Sequence, residues 1–177
     1  MAVNYTVGDG VARIELADAE GHNALTLDVA KELRDALRQA HSDARVSVVL
    51  LTGSGPSFSV GTDAGRSTGA AGPAAMLELA TVVDEVLRLL ESATRPTIAG
   101  VDGLAAGAGL SLVLGCDLAI ATGRATFSIT APGRPAIPAR GSFRAVRNTL
   151  VLSRPLAQAR TRFRTRSPAR DATCMEI

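Results

Sequence analysis

The chain contains no tryptophan, and its 177 residues include one tyrosine and four phenylalanines, 3% aromatic in all. A core with so few rings must be built from Ala, Val, Leu and Ile. The same scarcity argues against a base-stacking nucleic-acid platform, which needs aromatic faces. Cysteine is almost missing: Cys116 and Cys174 are the only two. Two thiols make neither a disulfide framework nor a four-ligand zinc site. They read as a buried thiol and a tail thiol in a reducing compartment. His22 and His41 have no Cys or second His at ligand spacing, so no metal is expected, and both are expected to be solvated. No long hydrophobic run occurs either. The most apolar stretch, Leu104 to Cys116, lies between Asp102 and Asp117 and is too short to span a bilayer. The first ten residues include Asn4, Thr6 and Asp9, which is not the pattern of a secretory signal. A cytoplasmic protein with no membrane partner is the expectation.

Lysine is the third scarcity: Lys31 stands alone against eighteen arginines. The charges are also unevenly spread. Residues 1–133 carry nine Lys/Arg against fifteen Asp/Glu, whereas residues 134–177 carry ten Arg against Asp171 and Glu176. A split this sharp marks two segments under different constraints. Hydrophobic residues at 46% and charged residues at 20% otherwise fit one globular domain. We therefore expect a domain over residues 1–157 and an Arg-rich, poorly packed tail over 158–177.

The periodicities give an α/β order. Ala2 to Val7 and Val11 to Leu16 alternate as strands around the turn Gly8-Asp9-Gly10. Leu27, Ala30, Leu33, Leu37 and Ala40 recur at helical spacing, which predicts a helix over 25–40 with Thr26 as its cap. Val46 to Thr52 reads as a buried strand. Gly61 to Gly72 reads as an exposed loop, and Pro73 opens a second helix reaching about Ala93. Thr97 to Val101 is another strand, Gly103 to Gly109 a small-residue turn, Leu110 to Leu114 a short helix and Leu118 to Ala121 a strand. No internal repeat is visible in the letters.

Two loops carry chemistry. Ser57-Phe58-Ser59-Val60-Gly61-Thr62-Asp63 follows one buried strand, and Asp102 to Leu112 joins another strand to a helix. Small residues there let a ligand approach the backbone. A helix starting near Ala108 presents free N–H groups and a positive dipole end. Two N–H groups converging on one oxygen would form an oxyanion hole. Close packing of helix on strand also selects Gly and Ala, so spacing alone leaves both readings open.

An ordered set of motifs narrows the choice. It comprises Asn23-Ala24-Leu25, Val48-Val49-Leu50-Leu51-Thr52-Gly53, Phe58 to Asp63, Arg95-Pro96-Thr97-Ile98-Ala99-Gly100-Val101-Asp102-Gly103, Ala105 to Gly109, and Cys116-Asp117-Leu118-Ala119-Ile120-Ala121. In order and spacing, across roughly residues 1–130, it resembles the crotonase superfamily, the enoyl-CoA hydratase/isomerase family. The resemblance implies a crotonase-like α/β fold of repeated ββα units, usually assembled as trimers or hexamers. It implies an acyl-CoA substrate and no cofactor beyond the coenzyme A of that substrate. It puts the oxyanion-hole donors on the N–H groups of Thr62 and Ala108, with Phe58, Ser59, Val60, Gly61, Gly107 and Gly109 lining the substrate path.

The same resemblance exposes a deficit. The two hydratase glutamates fall on Ser111 and Ala131, and the isomerase aspartate after a proline (Pro138) falls on Ala139. Hydration needs a base for water and an acid for the α-carbon, so the ordinary hydratase mechanism is not supported. Ser111, as a holder of water or a substrate hydroxyl, and Asp63 are the remaining side-chain candidates, each with a plain packing or capping alternative. Asp117 reads as a structural cap. The arginine-rich end reads as a truncated or divergent terminus, a basic arm for phosphates or a membrane surface, or a sequence-indifferent nucleic-acid contact, the last being disfavoured. The leading expectation is an enoyl-CoA hydratase/isomerase-type enzyme; the competing one is a non-catalytic CoA-thioester-binding homologue.

Overall fold

The computed structural model describes residues 2–18, 22–62, 73–129, 150–152 and 174–175. Strands β1 (Val3–Gly8) and β2 (Val11–Leu16) form an antiparallel hairpin. Its turn residues Asp9 and Gly10 both have positive φ, 51° and 78°, the conformation that fits the twist of a two-residue hairpin. Helix α1 (Leu27–Ser42) follows, and the Thr26 hydroxyl caps it by accepting the Val29 N–H at 3.3 Å. Its apolar stripe, Val29, Ala30, Leu33, Ala36, Leu37 and Ala40, is buried.

From there the chain repeats one unit: a long strand, a short strand, a helix. Strand β3 (Val48–Gly53) leads to β4 (Ser57–Ser59) and α2 (Pro73–Glu91). Strand β5 (Thr97–Val101) leads to β6 (Leu104–Ala106) and α3 (Ala108–Gly115). Strand β7 (Leu118–Ala121) leads to β8 (Thr126–Ser128). The remaining described strands are β9 (Leu150–Leu152) and β10 (Cys174–Met175). The long strands form one six-stranded sheet in the order β1-β2-β3-β5-β7-β9, parallel from β2 onward. The short strands form a second sheet, β10-β8-β6-β4. The ββα repeat is thus structural, carried by backbone pairing and invisible in residue identities.

The core is aliphatic, as the composition requires. Ile14, Leu33, Leu37, Leu51, Leu90 and Leu112 are fully buried, each worth about 1.5–3 kcal/mol of apolar burial. Phe58 and Phe127 are the exceptions, and both are buried in this core on the short strands. Those short strands depart from expectation: Ser57–Ser59 and Leu104–Ala106 were read as parts of loops. Three residues are too few to show alternation, and Gly, Ala and Ser around them mimic turn chemistry. The expected tail over 158–177 lies outside the described residues, apart from 174–175. Among the described residues, no helix is long and apolar enough to cross a membrane.

His41 corrects the expectation of a solvated side chain. It sits at the end of α1, half-buried, with Nε2 shielded from solvent and unpartnered. The Arg95 guanidinium donates to the backbone carbonyls of His41, Asp43 and Val46, tying the end of α1 to the start of the central strands. Burial and then the Arg95 charge lower the His41 pKa below its ordinary 6.5. Arg45 and Tyr5 also lie at this foot of the sheet, and Arg45 holds the exposed Asp43 carboxyl down at about 2. The unfolded chain therefore takes up the His41 proton before the folded chain does, and stability drops as pH falls below 6.5. We expect the denaturation midpoint to fall between about pH 7 and about pH 5, and His41→Gln to flatten that part of the profile; an unchanged slope in the variant would assign it to another group.

Candidate active site

The short strands bring two chain exits side by side. After β4 the chain leaves the small sheet at Val60-Gly61-Thr62; after β6 it turns at Gly107 into α3. Because β4 and β6 pair in parallel, with Ser57 opposite Leu104 and Ser59 opposite Ala105, both exits point the same way. Gly61 adopts φ +83°, and a Cβ there would stand 2.5 Å from the Ala106 carbonyl oxygen and 2.8 Å from the Ala108 nitrogen. No side chain fits between these backbones. Gly107 adopts φ 53° and ψ −122°, a region that non-glycine residues rarely enter. Its N–H donates to the Ser128 carbonyl at 3.0 Å, fixing the turn to β8.

This geometry leaves two peptide groups unspent. Ala108 opens α3, so its N–H has no acceptor within the helix and sits at the positive end of the dipole. Neither the Ala108 nor the Thr62 N–H donates to another described residue. Both residues are half-buried.

The Gly61 exit is held from the other side by residues 22–25. Strand-like pairing joins Ala24 to Gly61, and the Leu25 N–H donates to the Gly61 carbonyl at 2.9 Å. The Val60 N–H donates to the His22 carbonyl at 3.0 Å. Asn23, buried and at φ 51°, donates through Nδ2 to the carbonyls of Ser54 and Ser57, each at 2.8 Å, and accepts the Asp18 N–H at 3.1 Å. The Ser59 hydroxyl donates to the Asn23 carbonyl at 2.6 Å and accepts the Gly61 N–H at 3.2 Å. In the sequence Asn23 is one letter of a motif; its signal is a short polar residue, tolerant of positive φ, directly before the buried pair Ala24-Leu25.

The expected site residues fall into three groups. Gly61, the residue before Thr62, packs against Ala108, and Thr62, Ala108, Val60 and Gly107 are all half-buried. Phe58, Ser59, Gly61 and Gly109 are buried, Phe58 and Ser59 completely, because β4 is covered on both faces. Asp63, Ala131 and Ala139 lie outside the described residues. Ser111 is 7% exposed, and its hydroxyl donates back to the Gly107 carbonyl at 3.4 Å. Asp117 is structural, as its position suggested: Oδ2 accepts the N–H and hydroxyl of Thr97 at 2.8 and 2.9 Å. Asp102, held below its usual pKa by Thr122 and then Arg124, lies in the exposed β5–β6 connection. Burial pushes the Cys116 thiol up to about 12, so it is no nucleophile near neutral pH. Among the described residues no cluster of His, Cys, Asp and Glu could hold a metal ion.

Comparison with known proteins decides the family. A model of the enoyl-CoA hydratase/isomerase family matches residues 6–174. The chain belongs to that family. It is 37% identical over 121 residues to enoyl-CoA hydratase domain-containing protein 3, mitochondrial, of Rattus norvegicus, covering 68% of this chain and 40% of that protein. It is 37% identical over 132 residues to 4-chlorobenzoyl coenzyme A dehalogenase-2 of Arthrobacter, covering 72% and 46%. Among solved structures, an enoyl-CoA hydratase from Bacillus anthracis superposes with a TM-score of 0.71 at 28% identity, covering 78% of this chain and 54% of that one. The human counterpart of the rat protein gives 0.69 at 28%, covering 72% and 51%. These neighbours carry the crotonase fold expected from the motifs. The chain spans about half the length of the relatives it matches. Those relatives come from mitochondria and from bacteria, which does not single out the cytoplasm.

In this family member Gly61 is the least replaceable contact of the two exits. Gly61→Ala forces a positive φ on a residue with a Cβ, about 1–3 kcal/mol of strain, and drives that Cβ into the Ala106–Ala108 backbone. We expect a lowered denaturation midpoint together with loss of any acyl-CoA binding; a variant that binds as the parent does would show that the two exits need not touch.

Proposed function

We propose that this chain binds an acyl-CoA thioester and stabilises its enolate between the N–H groups of Thr62 and Ala108. One observation carries the reading: Gly61, immediately before Thr62, packs against the start of α3 at Ala108 with no room for a side chain, and neither the Thr62 nor the Ala108 N–H donates to another described residue. The thioester oxygen gains negative charge as a proton leaves the α-carbon. Donors fixed beforehand stabilise that charge without reorganising, and one such donor is worth about 2.7–4 kcal/mol in a transition state. Val60 and Gly107, half-buried beside the donors, are the residues available to line the acyl path. Family membership and the naming of relatives for coenzyme A thioesters support the substrate class.

The proton-transfer group is not among the carboxylates the family pattern would supply, since Ser111, Ala131 and Ala139 stand there. The inward hydrogen bond of Ser111 to Gly107 favours a second reading, a thioester-binding homologue without hydratase chemistry. Self-association as a trimer or hexamer belongs to the same proposal. Leu118 and Ile120, 42% and 46% exposed on β7, are apolar surface available to it.

A calorimetric titration with crotonyl-CoA tests the site. We expect saturable binding, weakened up to about tenfold in Ala108→Pro, which deletes one N–H at a helix position that tolerates proline. A folded protein that does not bind removes the reading. Ser111→Glu combined with Ala131→Glu separates the two versions: hydratase turnover above background means an intact site lacking its acid and base, whereas binding without turnover in the double variant favours the non-catalytic reading.

A further inference from the structure

Ser59 touches both halves of the site without reaching its surface, one through its hydroxyl and the other through its backbone and Cβ. Ser59 is completely buried. Its Oγ donates to the Asn23 carbonyl at 2.6 Å and accepts the N–H of Gly61 at 3.2 Å, so it holds the Val60–Gly61 peptide, one peptide before the one that carries the Thr62 N–H. Its backbone and Cβ also form the floor of α3: a Cβ on Gly109 would meet the Ser59 carbonyl oxygen at 2.4 Å and the Ser59 Cβ at 2.7 Å. Helix α3 therefore rests on Ser59 one residue beyond Ala108. The β4–β6 register shifts between Ser57 and Ser59, and such irregularities re-aim side chains next to functional sites. A buried hydroxyl with neither partner would cost free energy; here it is satisfied by the Asn23 carbonyl and the Gly61 N–H.

We propose that Ser59 is a positioning residue that sets the spacing between the Thr62 and Ala108 N–H groups through its bond to Gly61 and its contact with Gly109. This rests on the reading of those two groups as an oxyanion hole. Removing the hydroxyl releases the Gly61 N–H, leaving this exit held at the Val60 N–H by the His22 carbonyl and at the Gly61 carbonyl by the Leu25 N–H; the Val60–Gly61 peptide can then tilt and shift Thr62, while α3 stays seated. The hole then loosens on one side. The bound thioester loses part of its polarisation although most contacts with the rest of the ligand persist.

The test is difference infrared spectroscopy of crotonyl-CoA labelled with carbon-13 at the carbonyl, at saturation, on the full chain. In the parent protein the bound carbonyl band is expected below that of free ligand, as two hydrogen bonds polarise it. Ser59→Ala is expected to lose roughly half of that displacement, one donor of two, with affinity reduced less than tenfold. Ser59→Cys keeps a weak donor and acceptor and is expected to fall between. Ile14→Val, a core change remote from the site, should leave the band in place, so lowered stability alone does not produce the effect. A full displacement in Ser59→Ala, or in Ser59→Cys should the alanine variant not fold, overturns the positioning role and leaves the hole intact. No displacement in the parent protein overturns the hole and this role together.

Discussion

Everything at the candidate site depends on one steric fact: the backbone at Gly61 lies against the turn from Ala106 to Ala108 with no room for a Cβ. That contact sets the chain leaving β4 against the start of α3. It is made possible by parallel pairing of two three-residue strands, β4 and β6. Each is too short to be stable alone. Both are held by the larger sheet beneath them, whose strands β3 and β5 feed them directly. The site is therefore a consequence of the ββα repeat, in which consecutive units stack so that equivalent corners meet.

Two polar residues adapt this repeat to the site. Asn23 satisfies two carbonyls at the β3–β4 connection while standing at positive φ, and Ser59 joins the Asn23 segment to Gly61. Buried polar groups are tolerated when every partner is made, and a satisfied network holds a backbone more uniquely than apolar packing does. The long-strand sheet and the helices supply bulk stability; this small network supplies placement. At the opposite end of the strands, the guanidinium of Arg95 does similar work by gathering three carbonyls around the end of α1.

Much of this was legible in the sequence. The hairpin, the two long helices, strands β3, β5 and β7 and the Thr26 cap follow from periodicity and capping chemistry, and these elements lie within a few residues of their expected bounds; β9 was not among the expected strands. The ordered motifs pointed to the family. What was not legible has physical reasons. Strands β4, β6 and β8 are too short for a two-residue period to emerge. Phe58 looked like a ligand-path residue because it adjoins Gly61, yet a strand covered on both faces buries it in the core. His41 looked solvated because its neighbour Arg95 lies more than fifty residues away in sequence, a contact that sequence spacing does not display. The scaffolding roles of Asn23 and Ser59 depend on partners about thirty residues away in sequence.

The most direct test of the central claim watches the two amides themselves. Nitrogen-15 correlation spectra of the full chain, titrated with crotonyl-CoA, resolve Thr62 and Ala108 individually. The account predicts that both amide protons move downfield together along one saturation curve, as each takes the same oxygen as acceptor. Perturbations that saturate elsewhere while these two amides stay still would contradict it.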